Sequence, residues 1–133
     1  MRAVAVTEFG GPEKLALIDV PVPQPAAGEA LVKLEYAGIN FIDVYMRSGH
    51  YARSQTYKTP LPMVIGMEGI GTVESGQRVA YCITRGSYAE YAAVPEWKLV
   101  KVPDDVPSPI AVTLMLQGLT AHYLSHSAFA LDK

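Results

Sequence analysis

Hydrophobic and polar positions alternate with a period of two over much of the first hundred residues, and the breaks in that alternation divide the chain. Residues 2–8 read as a half-buried strand, Gly10-Gly11-Pro12 interrupts it, and residues 15–20 resume an extended apolar pattern. A hairpin is predicted. Pro21, Pro23 and Pro25 remove alternate N–H donors and restrain the residues before them, which predicts an extended surface crossing rather than a sheet strand. Alternation returns at residues 30–36, with Lys33 and Glu35 on one face and apolar positions and Tyr36 on the other, as in a strand buried on one side. Residues 39–48, from Ile39 to Ser48, are too dense in apolar groups for a solvated loop and lack strict alternation, so they predict a short helical turn on the core. Residues 50–62 show no period and carry two tyrosines and two prolines. They predict a surface loop.

The next segment contains Gly66, Gly69 and Gly71, then Ser75-Gly76, then residues 77–82, and predicts two strands joined by a tight Ser-Gly turn. Residues 86–94 and 98–102 predict two more short strands. A long helix is predicted after Pro107-Ser108-Pro109, over residues 110–129, with Ser108 as N-cap and Pro109 at the first helical position. Gly118 falls in its middle, where glycine costs about 1 kcal/mol relative to alanine and suggests a close approach. Many short strands and one terminal helix predict a mainly β fold of barrel or sandwich type.

Composition narrows the class. With 133 residues, 50% of them hydrophobic and 18% charged, the chain is expected to form one packed domain rather than a disordered segment. The net charge of -2 gives no bulk attraction to a polyanion, and the Tyr45, Arg47, Tyr51, Arg53, Tyr57, Lys58 group has no continuing basic stripe, so nucleic acid is not an expected partner. Cys82 is alone, which excludes an internal disulfide and a multi-thiolate zinc site and suits a small buried hydrophobe. No apolar run is long enough to span a bilayer. A soluble, cytoplasmic protein with no membrane partner is expected.

Five strings in collinear order carry a resemblance that runs from Met1 to Lys133. They are Phe9-Gly10-Gly11-Pro12-Glu13, residues 37–49 with Gly38-Ile39-Asn40-Phe41-Ile42-Asp43-Val44-Tyr45, Gly66-Met67-Glu68-Gly69, Gly86-Ser87-Tyr88-Ala89-Glu90-Tyr91, and Leu116-Gln117-Gly118-Leu119-Thr120-Ala121. Together they resemble the zinc-free quinone oxidoreductases, zeta-crystallin-like, of the medium-chain dehydrogenase superfamily. The resemblance implies a GroES-like β-barrel with short helices and a long C-terminal helix, spanning residues 1–133 as the substrate-side catalytic domain. It also implies a following Rossmann domain as partner, with the NADPH site there, and this chain stops where that domain would begin. The family's excursion between the strands that here meet over residues 73–79 is longer.

In the zinc-dependent relatives a Cys stands at the position matching Asn40 and a His at the position matching Met67, so the resemblance implies an enzyme without metal. His122 and His126, four apart on the predicted helix, have the spacing of a metal pair but no evident third ligand. Reducing a quinone without metal requires neutral donors for the growing oxyanion, and Asn N–H and Tyr O–H are such donors. The resemblance assigns Asn40, Tyr45 and Tyr51 to the catalytic cleft, and Asn40, Gln117 and Thr120 to the nicotinamide of NADPH. The residues themselves leave other roles open: Asn40 suits the cap of the helical turn, Tyr45 the core, Tyr51 a lid or surface position, and Gly118 simple helix–sheet packing. The spacing of Gly66, Gly69 and Gly71 gives only a weak phosphate-loop pattern, since no helix follows. A non-catalytic GroES-like binding or assembly module is the rival class. Exposed apolar side chains on the terminal helix and near Tyr45 predict self-association or docking of a partner.

Overall fold

The predicted hairpin forms: β1 (Arg2–Val6) and β2 (Leu15–Asp19) pair antiparallel from Arg2 opposite Asp19 to Val6 opposite Leu15. β4 (Met63–Val64) pairs with the other edge of β1, completing a three-stranded sheet in the order β2-β1-β4. β3 (Glu29–Ala37), β5 (Glu68–Thr72), β6 (Arg78–Cys82), β7 (Tyr91–Pro95) and β8 (Val100–Lys101) form a five-stranded sheet in the order β7-β3-β5-β6-β8, all antiparallel. The computed structural model describes residues 1–129 and 131. The fold is mainly β with one long C-terminal helical segment, as a GroES-like domain should be, but the strands divide into two sheets and do not close into a single ring. An isolated bridge from Ala3 to Ala89 and the bond from Val4 N–H to the Tyr88 carbonyl link the two.

The alternation over 30–36 predicts one buried face, but a register shift between Leu34 and Tyr36 breaks it. Past the bulge Tyr36 turns out to solvent, while the Glu35 carboxylate accepts a hydrogen bond from Ser108 Oγ at 2.8 Å. Strand pairing also explains a glycine: a Cβ on Gly71 would overlap the Lys33 carbonyl on the neighbouring strand. The strand predicted over 86–94 shortens to β7, because Gly86 and Ser87 donate their amides to the Gly66 carbonyl instead of entering a ladder.

The terminal helix starts one residue earlier than predicted. α2 (Ser108–Thr113) has Pro107 as N-cap, and Ser108 makes no capping bond. Its hydroxyl accepts from Arg78 Nη2 at 3.0 Å and donates to Glu35, fixing the helix start to β6 and β3. Gly118 marks the end of a widened, π-type turn over Leu114–Gly118, which is followed by α3 (Leu119–Tyr123) and a second widened turn over Leu124–Ala128. Such turns occur mostly as single insertions near functional positions. Ala111, Val112 and Met115 pack on Ile70 and Ala80 of the five-stranded sheet. No helix among the described residues is long and apolar enough to cross a membrane.

Candidate functional site

Residues 40–48 fold as predicted into α1 (Phe41–Arg47), with Asn40 at the N-cap. Asp43 Oδ2 accepts the Asn40 backbone N–H at 2.9 Å, as half of the capping box that the two residues form. The Asn40 side chain also bonds beyond the helix. Its Nδ2 donates to Glu68 Oε2 at 2.8 Å, and its Oδ1 accepts from Gln117 Nε2 at 3.3 Å. Gln117 Nε2 also donates to the Ile39 carbonyl at 3.0 Å. Two adjoining open hollows, of about 480 and 420 Å³, share Asn40, Phe41 and Gln117 in their walls. Thr120 lines the second.

Tyr45 and Tyr51 lie beside this group rather than within it. Five positions along a helix are roughly 140° apart, so Tyr45 leaves α1 in a different direction from the entry at Asn40. It joins an aromatic row in which Phe41, Tyr45, Tyr51 and Tyr57 follow one another at centroid separations of 6.3, 6.0 and 5.0 Å. His50 is 5.5 Å from Tyr45. Phe41, 77% exposed, is common to the row and to both hollows. Ile39, Val44 and Tyr45 around it are also exposed, so the surface over Asn40 is apolar and open.

Glu68 is the residue that sequence reasoning passed over. It is 0% exposed, and its two oxygens are taken by Asn40 Nδ2 and by the Leu116 N–H, the latter at 2.5 Å. Leu116 lies inside the widened turn. A Cβ on Gly38 would overlap the Glu68 carboxylate, so the glycine at this position is what leaves it room. The available signal was a lone carboxylate in the run Ile65-Gly66-Met67-Glu68-Gly69-Ile70, which is otherwise apolar and glycine and belongs to a strand buried on both faces.

Buried Ser87 and half-buried Tyr88 complete the cluster. Ser87 Oγ accepts the Glu68 N–H at 3.3 Å, and Tyr88 donates its phenol hydrogen to Asp43 Oδ2 at 2.9 Å. Burial pushes the Asp43 carboxyl above the ordinary carboxylate value, and the Glu68 charge adds to it, against the lowering effect of the bonds from Asn40 and Tyr88. The Tyr88 phenol is pushed up by burial and by the same two carboxylates, so it remains a donor. Burial and the Glu68 charge likewise raise the half-buried Cys82 thiol, which packs beside Ile70 and Ala80.

The position matching a zinc-ligand His holds a core residue: the Met67 side chain packs with Val6, Met46, Met63 and Ile65. His122 and His126 stack ring on ring at 4.3 Å, and His126 Nδ1 lies 3.0 Å from the His122 carbonyl. Among the described residues no three His, Cys, Asp or Glu side chains converge as a metal site would require. The donor set around Asn40, two amides and a carboxylate with each oxygen engaged by an N–H group, does not fit zinc.

The sequence pattern of the alcohol dehydrogenase GroES-like domain matches residues 26–104, which include β3, α1, β5, β6 and Asn40. The chain belongs to that family. This GroES-like domain is 36% identical over 137 residues to a "Probable quinone oxidoreductase" of Schizosaccharomyces pombe, with 95% of the chain and 40% of the relative covered. Its fold matches a mycobacterial protein solved in complex with NADPH at a TM-score of 0.90 and 46% identity, covering 100% of this chain and 42% of the other. The Escherichia coli quinone oxidoreductase, also complexed with NADPH, matches at a TM-score of 0.90 and 29% identity over 99% of this chain and 42% of that one. The GroES-like domain thus spans about two fifths of the length of these relatives.

Proposed function

We propose that residues 1–133 form the substrate-side domain of an NADPH-dependent quinone reductase that works without metal. The observation carrying this reading is the Asn40–Gln117 pair on the wall of an open apolar hollow. The protein bonds given above leave one Nδ2–H of Asn40 and the Oε1 of Gln117 without a protein partner among the described residues. One donor and one acceptor side by side fit a primary carboxamide, which has the complementary pair, and so fit the nicotinamide end of NADPH. The relatives' association with NADPH and with quinones supports the same assignment.

When bound, the nicotinamide supplies the hydride. The work of this chain is to place the acceptor and to stabilise what forms on it. Phe41, exposed between the hollow and the aromatic row, offers a face for a flat conjugated ring. Hydride arrival at such a ring leaves negative charge on oxygen, and the Tyr45 O–H, beside Phe41, is a neutral donor for it. Tyr51, edge-on to Tyr45 at 90°, holds that ring in place. Thr120 extends the polar wall on the helix side.

The test is a chimera in which this chain replaces the matching two fifths of the Escherichia coli quinone oxidoreductase. Oxidation of NADPH that depends on an added quinone is the expected result, and no turnover by the chain alone. A folded chimera that binds NADPH yet reduces no quinone would overturn the reading and favour a binding or assembly module.

A further inference from the structure

We infer that Glu68 is a positioning residue: it closes a ring of hydrogen bonds that fixes which way the Asn40 and Gln117 amides face. The inference rests on the proposed reading only for what the amides then bind. The ring runs from Glu68 Oε2 to Asn40 Nδ2, from Asn40 Oδ1 to Gln117 Nε2, one residue back along the chain to the Leu116 N–H, and from there to Glu68 Oε1. Both ends of the amide pair are held by accepting oxygens. Glu68 Oε2, in a carboxylate that takes an N–H on each oxygen, faces Asn40, and the Ile39 carbonyl faces Gln117, so each amide presents its NH2 there. Asn40 Oδ1 is then the one atom left to receive Gln117, and the uncommitted donor and acceptor fall where the hollow opens. The carboxylate has no other evident duty. It is wholly buried, has no Lys or Arg in ion-pair contact among the described residues, and lines neither of the two hollows beside Asn40.

The same logic says what happens when one accepting oxygen becomes an NH2. In Glu68→Gln the introduced oxygen takes the Leu116 N–H and the introduced NH2 turns to Asn40. Asn40 must rotate to meet it with Oδ1, and its own NH2 then confronts that of Gln117, donor against donor. Adding Asn40→Asp repairs the ring, because the introduced carboxylate accepts from both neighbours. It does so without restoring the spare N–H.

Three measurements on the full 133-residue chain separate the possibilities. In isotope-labelled wild type, scalar couplings across the hydrogen bonds from Asn40 Nδ2 and Leu116 N to the Glu68 side-chain carboxyl carbon are expected, and their absence would overturn the ring. Thermal unfolding is expected to fall in Glu68→Gln and to recover in the Glu68→Gln, Asn40→Asp pair. Affinity for reduced nicotinamide mononucleotide, followed by shifts of the Gln117 side-chain amide, is expected to fall about tenfold in the single variant and to stay low in the pair. Affinity that is unchanged in the single variant, or that returns with Tm in the pair, would reduce Glu68 to a structural residue and overturn positioning. If Glu68→Gln does not fold, folding of the pair supports the inference and its failure to fold overturns it. Couplings in wild type and Tm rescue in the pair, with no probe bound by wild type, overturn the functional reading and leave the ring standing.

Discussion

The two sides of Phe41 are built by different means. On one side Asn40, Asp43, Glu68, Ser87 and Tyr88 are joined by directional hydrogen bonds of 2.8–3.3 Å, four of the five are buried, and Asp43 and Glu68 stand on a helix and a strand, with Asn40 at the helix cap. On the other side the side chains of Tyr45, His50, Tyr51 and Tyr57 meet ring to ring, and the loop from 48 to 62 that carries three of them has little regular structure. Ring contacts tolerate displacement, whereas a carboxylate with two N–H donors does not. The comparison teaches that the chain fixes the end of the site that would meet an invariant cofactor and leaves adaptable the end that would meet substrates of varied shape.

Breaking the rigid side should have the largest effect. Gly38→Ala drives a methyl group into the Glu68 carboxylate and should cost about 3 kcal/mol of unfolding free energy, the scale of a buried charge deprived of partners, as read by urea denaturation. Tyr88→Phe deletes the donor to Asp43 and should cost about 2 kcal/mol at neutral pH, by the scale of a hydrogen bond to a charged group. Because the lost bond favoured the ionised form, the Asp43 carboxyl moves up further, so the loss should shrink when unfolding is repeated near pH 4.

The tyrosines of the adaptable side should affect chemistry more than stability. Tyr45→Phe in the chimera should lower kcat/KM about tenfold, the lower range for one oxyanion donor, with Tm unchanged. A smaller effect belongs to pH. Since the Asp43 carboxyl is raised in the folded protein, the folded state holds that proton more tightly than the unfolded chain. The stability it contributes is present in full below about pH 4 and is lost as pH rises through its folded-state value. Asp43→Asn should flatten that part of a Tm–pH profile. Smallest of all, Tyr51→Phe should shift stability by less than about 0.5 kcal/mol, since its ring packs on the core while its hydroxyl makes no hydrogen bond among the described residues.

The same division governed what could be read from the chain. The hairpin of β1 and β2, the Ser75-Gly76 turn, the helical turn at 41–47 and the aperiodic loop after it all follow from local pattern, and all are present. Ser108 and Glu35 were legible only as a cap and a solvent-facing charge, because a bulge in β3 and a guanidinium from β6 lie far away in sequence. The widened turns have no local signature beyond Gly118. Asn40 and Gln117 were named from a resemblance, yet their mutual contact depends on Glu68, whose partners no spacing rule links. Local chemistry was visible and its long-range wiring was not.

The ring also has a place in time. Its bonds join residues separated by 28, 48 and 77 positions along the chain, so each one closes a long loop and none can form within a single hairpin or helix. Contacts of that separation come late, since the entropy of closing them must be offset by structure already in place. The site is therefore expected to mature after the sheets, and in pulse-labelled hydrogen exchange the Leu116 amide should gain protection later than the amides of β5 and β6. A folding intermediate of this domain would hold its sheet strands together while its amides still point at random.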